Sequence, residues 1–395
     1  KPRAMTLDHE VMRVFQFCGL AERIAQRTAP HRGAHFLGID GSVIKKFDPL
    51  PPPYPLAWPP TSTFVQPELE RVLREGVATH AGADVFLGHR ALMFAQDDGV
   101  VALSVEDRQG TARVLQGRVL LGCDGANSFV RSALGIALED LGFDERWMAV
   151  DARIVGPVDL PARAVHYCWP PRPASFIPAP GNLRRWEIKL LPGEDAEAFA
   201  RPDNVVQQIA RFADPSCFEV WRAAVYRFHA LLAQSWRHGR VFLLGDACHQ
   251  TPPFLGQGMS AGIRDAANLA WKLALVLQDG ATEVLLDSYE RERIPHVRQL
   301  VATAKEFGLI IGELDPEAAR ARDESLRAKL ERGEVETVRQ RFIPNLVGGV
   351  IDVENIGRGA GTLFVQPRIL RRSALGETLL LDGLLPFRFV VATAT

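Results

Sequence analysis

The sequence predicts an α/β protein (α+β mixed) in which an antiparallel sheet is inserted between two halves of a first domain. Three observations predict it. Two short apolar strands, Arg118 to Cys123 and Val241 to Leu244, each run into a glycine–aspartate corner followed by a helical pattern. That is the strand–turn–helix grammar of α/β folds. Between them, residues 145–230 are rich in Trp, Pro and Arg and carry strand-like runs at 147–155, 164–169 and 184–191. Beyond the second corner lie two long helical patterns, 259–278 and roughly 283–312. At ~100–200 residues per domain, a chain of 395 residues holds two or three domains.

The elements follow in order. Thr6 or Asp8 caps a helix running to Gly19, with Leu7, Val11, Val14, Phe15 and Cys18 on its apolar face. Residues 34–47 read as two short strands around the Asp40-Gly41 turn. Residues 49–60 are too proline-rich for regular structure. Pro67 opens a helix over Glu68–His80, where its missing N–H costs nothing. Residues 84–122 alternate apolar and polar and predict an antiparallel meander ending in the strand Arg118 to Cys123. Residues 313–341 are highly charged and read as a solvated helix or linker. The tail holds Gly357-x-Gly359-x-Gly361 and a last strand, Phe387 to Ala392.

Composition excludes several classes. Lys and Arg total 46 against 47 Asp and Glu, a net charge of −1, which argues against general nucleic-acid binding. The five cysteines, at 18, 123, 168, 217 and 248, form no C-x-x-C pair. They predict a reducing, cytoplasmic setting rather than a disulfide framework. No apolar stretch approaches the ~18 residues of a membrane span, so no membrane partner is expected. The opening Lys-Pro-Arg-Ala-Met-Thr has no signal pattern and predicts a start internal to a longer protein. His31-x-x-x-His35 has zinc-like spacing, but Gly33 disfavours a helix there, so no metal site is expected. No Gly-x-Ser-x-Gly elbow offers a hydrolase nucleophile.

The two corners carry the chemistry. In Leu120-Leu121-Gly122-Cys123-Asp124-Gly125-Ala126-Asn127-Ser128, the glycine admits close ligand approach and the helix start favours an anion. By itself this corner reads equally as a ligand site or as a plain turn. In Gly245-Asp246-Ala247-Cys248-His249, then Pro252-Pro253-Phe254-Leu255-Gly256-Gln257-Gly258-Met259, a carboxylate suited to sugar hydroxyls precedes a stiff turn. Free N–H groups at the following helix start would stabilise negative charge.

Together these segments resemble the FAD-dependent aromatic hydroxylases, the single-component flavoprotein monooxygenases of the hydroxybenzoate-hydroxylase fold. Cys123-Asp124-Gly125 with Arg131 is similar to the family's Asp-Gly motif, and Leu244-Gly245-Asp246-Ala247 with His249 and Pro252-Pro253 to its Gly-Asp motif. Gly262 to Leu273 continues the likeness. Pro2-Arg3-Ala4, Phe64 to Glu70, Leu191-Pro192-Gly193-Glu194 and Phe254 to Met259 look like the 3-(3-hydroxyphenyl)propionate/3-hydroxycinnamate hydroxylases. The resemblance implies an FAD/NAD(P)-binding, glutathione-reductase-like domain over 1–143 and 231–312, with 31–60 contributing to the substrate sheet. It implies a substrate domain over 144–230, then a linker and the start of a thioredoxin-like region over 313–395. The family's opening Gly-x-Gly-x-x-Gly βαβ unit has no counterpart in the sequence, so the N-terminal dinucleotide-binding unit is expected to be missing.

The implied activity is hydroxylation of a phenolic aromatic acid with FAD, NADH or NADPH, and O2, through a flavin C4a hydroperoxide, in a protein free to form a homo-oligomer. Arg3, Gln66, Asp124, Gly125, Gly245, Asp246, Gly256, Gln257, Gly258 and Met259 are the implied cofactor contacts. Gln66 reads equally as a cap for the helix at Pro67. Pro253 and Phe254 are expected to face the substrate and flavin ring. His249 reads as a proton relay or as a buried structural histidine. For the substrate, the inserted sheet offers Arg172, Arg184 and Arg185 for a carboxylate, and His166, Tyr167, Trp169 and Trp186 for an aromatic pocket. Two other readings remain at this point: a flavin monooxygenase of a larger aromatic, and a non-catalytic remnant.

Overall fold

In the computed structural model, residues 4–97, 99–351, 359–370 and 378–384 are described. Arg3, Gly357 and the strand expected at Phe387 to Ala392 lie outside them. Strand Thr6–Asp8 (β1) feeds helix His9–Phe17 (α1). Asp8 caps it, accepting from the Val11 N–H at 3.1 Å, which satisfies one of the open first-turn donors. Helix Ala21–Ala25 (α2), strand Thr28–Pro30 (β2) and the hairpin of Ala34–Leu37 (β3) with Val43–Phe47 (β4) follow. Beyond the proline-rich loop come Thr61–Phe64 (β5) and helix Gln66–Ala78 (α3). β5 lies between β1 and β2 in a small sheet, and α1, α2 and α3 close a core over it.

Arg90–Gln96 (β6), Val101–Glu106 (β7) and Ala112–Gly117 (β8) form the antiparallel meander. The strand expected to end it departs instead. Leu120–Gly122 (β9), followed by helix Phe129–Ala133 (α4), pairs in parallel with a strand from beyond residue 240.

Next come Leu138–Ile154 (β10), Ala164–Tyr167 (β11), Ala174–Pro178 (β12) and Leu183–Lys189 (β13). Two helices, Ala196–Phe199 (α5) and Pro202–Ile209 (α6), precede the long strand Phe218–Ala233 (β14). Arg237–His238 (β15), Val241–Leu243 (β16) and His249–Gln250 (β17) lead to helices Gly258–Gln278 (α7), Val284–Gly312 (α8) and Pro316–Glu331 (α9). The parallel partner of β9 is β16. The large sheet has eight strands in the order β17-β14-β10-β13-β12-β11-β3-β4.

That sheet has two unlike faces, because successive strand side chains alternate. On one, Met148, Val150, Phe176, Trp186 and Ile188 pack with Phe199, Val205 and Ile209 from the covering helices. On the other, β13 presents Arg185, Glu187 and Lys189, all buried. The charged face looks into the interior, where α7, α8 and the corner loops lie.

Of the two readings of the charged stretch 313–341, a solvated helix or a linker, the structure shows the helix over most of it: α9 buries only Ala319 and Asp323. α9 packs on the β3–β4 hairpin: Asp323 is buried and accepts the Ile39 N–H at 2.7 Å, and Arg322 donates to the Cys168 carbonyl at 2.9 Å. A parallel bridge joins Asp48 to Val338, and Gln340 donates to the Thr61 hydroxyl at 3.0 Å. A few of its charges, those of Arg322, Asp323, Arg327 and Arg339, make tertiary contacts, which composition cannot reveal. Arg368–Leu370 (β18) and Thr378–Leu380 (β19) pair antiparallel in the tail.

Candidate active site

The two corner loops and the charged face of the large sheet enclose a cleft of about 910 Å³. Its walls include Asp124 and Gly125 from the β9–α4 corner, and Asp246, Phe254, Gly256 and Met259 from the β16–α7 corner. Ala149, Arg185 and Glu187 face it from the sheet.

The corners are tied together beneath the cleft. Arg131, buried on α4, donates to the Ala247 carbonyl at 2.8 Å and the Ala126 carbonyl at 3.0 Å, one in each loop. Asp124 accepts from the Ser128 hydroxyl at 2.6 Å and the Val130 N–H at 3.0 Å, so it caps α4 as well as lining the cleft. Gly262 on α7 lies against Gly245. A Cβ there would sit 3.1 Å from the Gly245 Cα, so the first turns of α7 can press on the strand end only without a side chain.

Beneath the Gly-Asp loop lies a buried ionic cluster. Asp265 on α7 accepts from Arg293 Nε at 2.8 Å, His249 Nε2 at 2.7 Å and the Gly245 N–H at 3.1 Å. Burial acts to raise its pKa, but His249 and Arg293 outweigh that and hold it down at about 2. Cys248, beside it, is a buried thiol that burial pushes well above the usual range. With Arg293 already on the carboxylate, this cluster is an ion pair rather than a cation site.

The α7 start is open. Gln257, the N-cap, makes no side-chain cap bond, and Gly258 and Met259 line the cleft. Their N–H groups and the helix dipole face whatever occupies it. A Cβ built on Gly125 or Gly258 meets no protein atom within 4 Å, so the space before both is cleft. Phe254 is buried, with ring centroids 5.1 Å from Trp147, 6.0 Å from Phe143 and 6.1 Å from Phe228. These features make a shelf for a flat, partly anionic group beside an aromatic wall.

Gly256 has φ +59°, and a Cβ there would run into Thr6 and Arg339. Gly256→Ala is expected to cost about 2 kcal/mol or more from the left-handed backbone and the crowding together. Chemical denaturation reads this, and an unchanged midpoint would show that the loop relaxes freely.

The structure gathers Gln66, Asp124, Gly125, Asp246, Pro253 and Phe254 at the cleft, together with Gly256, Gly258, Met259, His166 and Arg185. Gln66 accepts from the Ala4 N–H at 3.0 Å and donates to Glu70 at 2.7 Å. Gly245, Gln257 and His249 stand behind the cleft wall. Gln257 is buried and accepts from Arg264 at 3.0 Å. His249 is buried on Asp265, which corrects its reading as a relay at the reacting centre.

Three expected substrate contacts also move away. Trp186 lies in the opposite core with Phe176 and Phe218, and Tyr167 packs on Trp169 and Phe212. Arg184 folds onto the Gly181 and Leu183 carbonyls. The reason is strand alternation: Arg184 and Trp186 point away from the face that Arg185 and Glu187 share. Arg172 is ion-paired with Glu194 at 2.6 Å. Sequence reasoning missed Glu187, Tyr226, His31 and Arg339, which also line the cleft. Period-two reading of β13 would have flagged Glu187 from Arg185; nothing in the sequence marks Arg339.

Fold and cleft define a cofactor-binding α/β protein with a sheet over the site that is antiparallel except where β11 meets β3 in parallel. The chain belongs to the family described as FAD binding domain, whose profile matches residues 1–304. It is 36% identical over 323 residues to a 3-(3-hydroxy-phenyl)propionate/3-hydroxycinnamic acid hydroxylase of Comamonas testosteroni, covering 82% of this chain and 54% of that protein. It is 36% identical over 353 residues to a probable NADH-specific resorcinol 4-hydroxylase of Rhodococcus jostii, covering 89% of this chain and 66% of that protein. The chain thus spans between about half and two thirds of these relatives' length. Among solved structures, aklavinone-11 hydroxylase with FAD and aklavinone superposes with TM-score 0.77 at 23% identity, over 97% of this chain and 75% of that one. p-Nitrophenol 4-monooxygenase of Pseudomonas putida superposes with TM-score 0.72 at 24% identity, over 87% of each chain. Both share the fold.

The cleft fits the family's cofactor: two glycine cradles open onto it, an uncapped helix start faces it, and two carboxylates sit at its rim.

Proposed function

We propose that this protein is a flavin-dependent monooxygenase that hydroxylates a phenolic aromatic acid of the 3-(3-hydroxyphenyl)propionate type. Its cofactor is FAD and its co-substrates are NADH or NADPH and O2. The observation that carries this is the open α7 start set against the aromatic wall of Phe254 in one cleft. Bound there, FAD supplies electron transfer from the nicotinamide and passes one oxygen atom of O2 to the ring, the other leaving as water.

The chain's own residues do the rest. Asp246 accepts hydrogen bonds from the cofactor's sugar-alcohol hydroxyls. The N–H groups of Gly258 and Met259 hold negative charge on the ring edge without offering a labile proton. Pro253 and Phe254, backed by Trp147, exclude water from the reacting face. Glu187 can hold a proton at its carboxyl within the cleft, since burial raises it above the usual carboxylate range against the pull of Arg185. Residues 1–143 and 231–312 then serve the cofactor and 144–230 the substrate. None of the described helices is long and apolar enough to cross a membrane. The five free cysteines suit a cytoplasmic catabolic enzyme.

The test begins with FAD. Protein incubated with FAD and desalted is expected to keep flavin absorbance, and then to oxidise NADH or NADPH faster with 3-(3-hydroxyphenyl)propionate. Mass spectrometry should find the product one oxygen heavier. Colourless protein would overturn the cofactor assignment for this chain. Flavin-loaded protein that hydroxylates no phenolic acid would overturn the substrate assignment.

A further inference from the structure

We propose that Arg339, with His31 and His166 beside it, anchors the carboxylate of the aromatic substrate. The proposal rests on the hydroxylase reading and names the residues that select an acid.

Buried guanidinium groups are costly unless paired, and the interior of this protein largely obeys that rule. Arg185 grips Asp151 through two hydrogen bonds of 2.7 and 2.9 Å, and Arg222 shares the same carboxylate. Arg264 pairs with Asp8 and Glu10, and Arg293 with Asp265. Arg131, without a carboxylate, spreads over two carbonyls.

Arg339 departs from the rule. It is buried, lines the cleft, and donates through Nη2 to the Leu255 carbonyl. Among the described residues it has no carboxylate partner. Asp8, whose charge reaches it, is already held by Arg264. Burial accordingly lowers the Arg339 pKa to about 10.

Two imidazoles complete the site. The Gly33 N–H donates to His31 Nδ1 at 3.1 Å, so the neutral ring carries its proton on Nε2. His166 Nδ1 lies 2.8 Å from the Ser175 hydroxyl. Neither Nε2 has a protein partner among the described residues, and both rings line the cleft. Burial first, then the Arg339 charge, depresses both pKa values to about 3. At neutral pH the two rings are therefore uncharged.

One buried cation flanked by neutral rings suits a monoanion with two acceptor oxygens, and a planar guanidinium matches a carboxylate. A phosphate dianion would be left under-neutralised. Placement agrees. His166 is on β11, and Asp246 lies beside the β17–β14 edge of the same sheet. Four strand spacings separate β14 from β11, about 19 Å, room for a ring system and an aromatic acid between.

The test compares 3-(3-hydroxyphenyl)propionate with its neutral amide, binding being read from the perturbed flavin spectrum of FAD-loaded protein. Wild-type protein is expected to prefer the acid by about 10- to 150-fold, the range for a hydrogen bond to a charged group. Arg339→Gln should lose that preference while keeping its FAD content and its affinity for the amide, and Arg339→Lys should keep part of it. If wild-type protein binds the amide as tightly as the acid, the proposal is overturned, even should the Gln variant fail to fold. It is equally overturned if Arg339→Gln keeps the preference, or loses FAD instead, which would assign the charge to the cofactor. Acid-selective binding without hydroxylated product would sink the hydroxylase reading and leave the anchor standing. Hydroxylation without acid selectivity would do the reverse.

Discussion

Asp265→Ala is expected to destabilise the protein by about 3–5 kcal/mol, the range for breaking a buried ion pair by removing one partner. The side chain is fully buried and serves three donors: Arg293, His249 and the Gly245 N–H. Its removal leaves Arg293 buried with one described contact, to the Ala261 carbonyl at 3.4 Å. Urea denaturation reads the effect, and a loss under about 1 kcal/mol would mean the cluster reorganises.

The pH dependence follows from the same group. Its folded pKa of about 2 lies below the ordinary 3.8. A carboxyl with a depressed folded pKa contributes stability that is present above the unfolded value and lost as pH falls through the folded one. The window is therefore about pH 4 down to about 2, and the contribution is on the order of 2 kcal/mol. Asp265→Asn should flatten that acid limb. The same substitution leaves one acceptor oxygen where two served Arg293, His249 and the Gly245 N–H, and should loosen the loop that carries Asp246.

Asp246→Ala is expected to strip the cofactor. This carboxylate lines the cleft at the end of a buried strand, on the rim beside the open α7 start. A charged hydrogen bond to a ligand hydroxyl contributes about 1.5–3 kcal/mol, so the dissociation constant for FAD should rise about 10- to 150-fold. Flavin content after desalting and a fluorescence titration measure it. Full flavin content in the variant would remove Asp246 from the cofactor site. Asp124→Ala is the less clean experiment, because Asp124 also caps α4 and its loss carries about 1 kcal/mol of stability with it.

Much of this fold was legible in the sequence. The helices at 9–17, 66–78 and 258–278 announce themselves through a capping Asp8, a first-turn Pro67 and a stiff Pro-Pro and Gly-x-Gly bend. The hairpin around Asp40-Gly41 and the corners at Asp124 and Asp246 carry local turn chemistry. Three strands of the large sheet were not legible, β12, β14 and the two-residue β17. β12 is short and proline-bounded, β14 is half-exposed along most of its length, and β17 spans only two residues, so none shows a clean alternation.

Local chemistry thus determined the helices, the corners and the carboxylates and glycines that stand at them, because caps, turns and periodicity act over a few residues. Tertiary structure alone decided which face of each strand looks inward. It turned Arg185 and Glu187 to the cleft and Trp186 to the far core, and placed His249 behind the wall on Asp265. It also carried Arg339 from a charge-rich stretch more than eighty residues past Gly256 into contact with that loop. Such placements depend on register and on burial between distant segments. The energy of a buried charge is set by which groups surround it, and that is a property of the assembled interior rather than of its neighbours along the chain.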